Sequence, residues 1–123
     1  MDLAAVLALS EWETAERLVR ADPALVDSGA LHLMAKRGDV AAVTWLLDHG
    51  ADANARWWHW DAHVTALHLA AAQGHARVVR LLLDAGADPR VHDSKHDSDP
   101  SGWAEFFQRP EIVQILAAHT AKS

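Results

Sequence analysis

The chain has 123 residues, half of them hydrophobic, and a formal charge of −6 with its nine histidines counted neutral. That length suits one domain, and that hydrophobic content excludes a disordered chain. The absence of cysteine excludes disulfides, thiolate-held zinc and thiol catalysis, and fits a reducing, cytoplasmic setting. The acidic balance disfavours nucleic acid and anionic membrane and favours a basic protein partner. Met1-Asp2-Leu3 offers an acid where a signal peptide needs a basic region, so no signal peptide is expected. The apolar run 3–9 is too short to span a bilayer.

In chain order, residues 1–28 predict two short helices. The first covers 3–9, with Asp2 as N-cap. Ser10 and Glu11 stand at the break. The second covers 13–21, with Ala15, Leu18 and Val19 on one face, and Asp22-Pro23 ends it. Residues 29–64 carry Ala30-Leu31-His32-Leu33, which returns as Ala66-Leu67-His68-Leu69, a shift of 36 (67 − 31). Gly38 matches Gly74, and Gly50-Ala51-Asp52 matches Gly86-Ala87-Asp88; these glycines are placed to end helices. A polar and aromatic connector, 56–64, separates the two copies.

Residues 65–98 run from Thr65 through Leu67, His68, Ala70 and Ala71 to a stripe of Val78, Val79, Leu82 and Leu83. They end in a second connector, 91–98. In residues 99–123, Ile112, Val113, Ile115 and Leu116 repeat Val78, Val79, Leu81 and Leu82, a shift of 34 (112 − 78). There Trp103 stands at the place of Leu69 and Gly102 at that of His68, while Pro110 opens the second helix.

The Thr65–Ala71 pattern, the Gly-Ala-Asp close and the spacing resemble the ankyrin repeat, whose period is about 33 residues. The long connectors also resemble a group of small bacterial ankyrin-repeat proteins. The resemblance implies an all-α solenoid of four stacked helix pairs with lengthened hairpin connectors. Its units would be 1–28, 29–64, 65–98 and 99–123 of a single domain. It also implies a non-enzymatic interaction module. Such a stack has no closed core in any one unit and offers an extended concave surface.

In that family the motif histidine, here His32 and His68, braces neighbouring loops by hydrogen bonds. The last turn of each first helix and the connector tips line the concave face. On this basis Lys36, Arg37, Gln73 and Phe107, with Trp57, Trp58 and Trp60 of the first connector, are the expected contacts for a protein partner. At least one of the three tryptophans is expected to be buried and at least one partly exposed. Phe106 is expected to seal the last unit rather than to bind, and Phe107 is as much a candidate for the seal as for binding. No cofactor is expected, and a monomer is expected.

A second reading concerns metal. If 58–63 were one extended strand, alternate residues would share a face. Trp58 and Trp60 would lie on one side and His59, Asp61 and His63 on the other. The next connector brings His92, Asp93, His96, Asp97 and Asp99 alongside. His59, Asp61, His63, His96 and Asp97 would then be candidate ligands for a divalent metal or a hydrolytic site, since imidazole and carboxylate suit zinc or nickel. The competing reading of the same residues is a hydrogen-bond network that fixes the two connectors. No serine sits in a nucleophile-elbow context and no glycine-rich phosphate loop occurs, so no catalytic residue is assigned.

Overall fold

The computed structural model describes residues 2–59 and 61–122, the last of these through its backbone alone. Eight α-helices account for most of the described chain: α1 Leu3–Ala8, α2 Trp12–Ala21, α3 Ala30–Arg37, α4 Val40–Asp48, α5 Ala66–Gln73, α6 Ala76–Asp84, α7 Pro100–Phe106 and α8 Pro110–Lys122. A 3-10 turn covers Pro23–Asp27. Between α4 and α5 lies an antiparallel pair, β1 Trp57–His59 and β2 Ala62–Val64.

Local chemistry sets most of these limits. Carboxylates or a hydroxyl cap the first turns: Asp2 accepts from the Ala5 N–H at 2.7 Å, Asp39 from Ala42 at 3.1 Å and Asp99 from Gly102 at 2.8 Å. Thr65 and His68 form a reciprocal capping box at the start of α5. Each such cap satisfies an N–H that the helix leaves without a partner. The breaks between paired helices all use left-handed backbone. Gly38 and Gly74 stand between α3 and α4 and between α5 and α6, at φ 78° and 76°. Ser10 and Gln108, at φ 58° and 60°, stand between α1 and α2 and between α7 and α8.

The first helices pack in a row, α1 on α3, α3 on α5 and α5 on α7; α4, α6 and α8 form a parallel row behind them. One apolar core runs through both rows, from Leu3, Val6 and Leu7 to Ile112 and Leu116. Leu31, Leu67, Val79 and Leu82 all belong to it, because the 3.6-residue period puts them on the faces that neighbouring units share. A separate cluster of Ala62, Val64, Leu69, Ala72 and Trp103 ties the β-hairpin to α5 and α7.

Adjacent units are also joined at the helix breaks. The His75 Nε2–H donates to the Lys36 carbonyl at 2.9 Å, and the Arg109 Nε–H to the Ala72 carbonyl at 3.1 Å. Each caps the last turn of the preceding first helix. This crowds Gly38, where a Cβ would stand 2.6 Å from the His75 ring. Gly38→Ala is therefore expected to cost about 2–3 kcal/mol, from left-handed strain and a displaced cap. Gly50→Ala, at φ 92° with open space around it, should cost only about 1 kcal/mol. Urea unfolding of the two variants checks the difference; equal losses would show that the His75 contact carries no weight.

Candidate functional site

The two connectors lie side by side on one edge, and backbone bonds fix them there. The His63 N–H donates to the Ser94 hydroxyl at 2.7 Å, and the Ser94 N–H returns to the His63 carbonyl at 3.2 Å. Lys95 Nζ reaches the Asp61 carboxylate at 2.9 Å. Lower down, Asn54 donates to the Gly86 carbonyl and accepts from the Asp88 N–H at 2.6 Å. Asn54 is a rung between repeats that the sequence reading did not single out.

The first connector departs from the expectation of one continuous strand. The chain reverses between His59 and Ala62, with Asp61 at φ 63°. Cross-strand partners in an antiparallel pair share a face. The register pairs Trp58 with His63, and His59 with Ala62. His59 and His63 thus lie on opposite faces of the hairpin rather than on one. The inner face carries Trp57, His59, Ala62 and Val64, and the two aliphatic residues are buried. The outer face carries Trp58, whose ring meets His63 edge-on at 5.0 Å.

This reversal corrects the expectation that His59, Asp61 and His63 share one face, and two lysines lie beside the candidate ligands. Among the described residues, no group of three or more His, Asp or Glu is placed to hold an ion. Lys36 Nζ donates to His59 Nε2 at 2.9 Å, and Lys95 holds Asp61. Both ammonium groups repel a cation. Burial first, and the Lys36 charge second, push the His59 pKa down. Asp97 pairs with His92 Nδ1 at 3.0 Å. His96 lies with Ser98 on the wall of a groove beside α7.

Asp93 organises the second connector from within. It is buried, and its carboxylate accepts from the backbone N–H groups of Lys95, His96 and Ser98 at 3.1, 2.7 and 2.9 Å. The Trp103 indole N–H donates to it at 3.0 Å. Burial alone would raise its pKa; these donors outweigh burial and hold the carboxyl at about 2. The motif histidines brace the same connectors. Nε2–H of His32 donates to the Ala55 carbonyl at 2.8 Å, and that of His68 to the Ser98 carbonyl at 2.9 Å. Burial is the largest influence on both rings and lowers both pKa values below 6.5, which keeps them neutral at pH 7. In α7 the motif position is Gly102, and the described chain has no later connector for a histidine to reach.

The expected contact residues fall along the hairpin and the ends of α3, α5 and α7. Trp57 is 38% exposed, with its ring against Gly29 and tilted toward His32; Trp58 is 55% exposed. Neither of these two is buried, and Trp60 lies outside the described residues. Arg37 is exposed, and Lys36 and Gln73 are half-buried. Phe106 is 80% exposed and Phe107 40%, so Phe106 does not seal the last unit. No helix among the described residues is long and apolar enough to cross a membrane. A comparison with curated proteins returned no match. The family model for ankyrin repeats in three copies matches residues 3–93, which span α1 to the second connector. With the matched unit repeating in helices, helix stops and bracing histidines, this chain belongs to the ankyrin-repeat family.

Proposed function

We propose that the chain is a non-enzymatic module that binds a protein partner through its connector edge and the adjoining ends of its first helices. The observation that carries this reading is the exposure of Trp57 and Trp58 on a hairpin held firmly to the body. Ankyrin repeats in general are protein-interaction modules. Exposed indoles are costly in water and are frequent anchors of interfaces. Lys36, bonded to His59 of the hairpin, and the exposed Arg37 add polar selectivity, while Gln73 and Phe107 extend the strip across the next two units. The formal charge of −6 favours a partner of net positive charge, approaching by long-range attraction.

We read α7 and α8 as a fourth unit of the same stack and residues 1–123 as one domain. The expected form is a cytoplasmic monomer, with no nucleic acid or membrane as partner. Trp58→Ala tests the reading, because a half-exposed ring can be removed with little loss of stability. Affinity capture from native extract should show the partner retained by the parent and weakened at least tenfold by the variant. Equal capture by the two proteins would remove the hairpin from the interface.

A further inference from the structure

Trp103 of α7 occupies a seat on the preceding unit. Ala62, Val64, Leu69 and Ala72 share its buried cluster, and the His68 ring meets the indole edge-on at 5.2 Å. The N-caps of α5 and α7, Thr65 and Asp99, stand 34 residues apart (99 − 65). Advanced by that interval, the five seat residues become His96, Ser98, Gly102, Trp103 and Phe106. These five, with Phe107, line an open groove of about 460 Å³. That volume lies within the ~300–1,000 Å³ of ordinary ligand pockets. The groove on α7 is the next copy of the pocket that Trp103 fills, and it continues the interface between α5 and α7.

We propose that this groove is a second docking site, which takes an aromatic side chain, an indole foremost, from an α-helix of a partner protein. The substitutions within the copied seat suit that guest. Gly102 stands where His68 stood and lets the Ser98 hydroxyl lie against the floor in place of a ring. Phe106 and Phe107, edge to face at 5.1 Å, build an aromatic wall where Ala72 and Gln73 stood. His96 and Ser98 replace Ala62 and Val64 and supply acceptors for an indole N–H, the part that Asp93 plays for Trp103. A partner helix fits better than a second copy of this chain. Among the described residues its helical tryptophans are engaged: Trp12 packs on the core, Trp45 stacks on His49 at 3.8 Å, and Trp103 is buried.

The test uses the whole chain and a helical, alanine-rich peptide of about 15 residues bearing one tryptophan. Amide NMR should show saturable shifts at His96, Ser98, Gly102 and Phe107. The same peptide with alanine in place of tryptophan should leave them still. Phe106→Ala, at an exposed position that spares the fold, should weaken binding about fivefold through loss of one aromatic contact. Three results overturn the proposal: the tryptophan peptide leaves the groove amides unmoved; it shifts only the Trp58 hairpin; or the groove amides shift with protein concentration alone, which would assign the groove to a second copy. Phe107 borders both surfaces, but Trp58→Ala bears only on the connector edge and Phe106→Ala only on this groove, so the two sites fail separately.

Discussion

Trp103→Ala is expected to lower the stability of the chain by about 3–5 kcal/mol, the range for emptying a large aromatic site in a core. Against a total near 5–15 kcal/mol, that loss would bring the protein close to unfolding at moderate temperature. The ring packs among Ala62, Val64, Leu69 and Ala72, which come from the hairpin and α5. Its removal therefore loosens three elements at once. It also leaves the buried Asp93 carboxylate without its indole donor. Trp103→Phe keeps most of the apolar area and loses the N–H, so about 1–2 kcal/mol should go. Urea unfolding at neutral pH measures both. A loss under 1 kcal/mol for the alanine variant would mean that the hairpin cluster closes up without the ring.

The second large effect is the acid sensitivity of Asp93. Its carboxyl titrates at about 2 in the folded chain and near the ordinary 3.8 when unfolded. A folded value below the unfolded one favours folding whenever the group is ionised. The contribution, about 2 kcal/mol, is complete above roughly pH 4 and fades as pH falls toward 2. Asp93→Asn replaces an acceptor facing four N–H donors with an amide that can accept at only one atom. The variant should lose about 2–3 kcal/mol at pH 7. Its stability should then fall less than the parent's between pH 4 and pH 2. If the two proteins lose equal stability over that window, other carboxylates govern the acid limb. Double substitution at Trp103 and Asp93 should cost less than the sum of the two, since they share one hydrogen bond.

The sequence by itself determined the repeating units and the seam between them. The period of 3.6 places Leu31, Leu67, Val79 and Leu82 inward wherever a helix forms. Local chemistry, chiefly the caps at Asp2, Thr65 and Asp99 and the stops at Gly38 and Gly74, fixes where helices begin and end. Such signals act over a few neighbours, so they can be read from a string of residues. The histidine bracing spans 23 and 30 residues and was legible only through the family motif.

The connectors were decided by tertiary structure. Strand parity can be counted along a sequence only if the position of the reversal is known. The turn between His59 and Ala62 put the two histidines on opposite faces, against the expectation that they share one. Asp93 looked like one carboxylate among several. Three of its donors are the nearby N–H groups of Lys95, His96 and Ser98, and the packing of α7 adds the Trp103 indole; together they outweigh burial, which opposes the charge, and hold the ionised form. Arg109 and His75 reach carbonyls of the preceding unit. Phe106 stands in water because α7 ends the described row of first helices. Contacts between residues 30 or more positions apart depend on how units stack, and that is settled by the whole packing rather than by any local pattern.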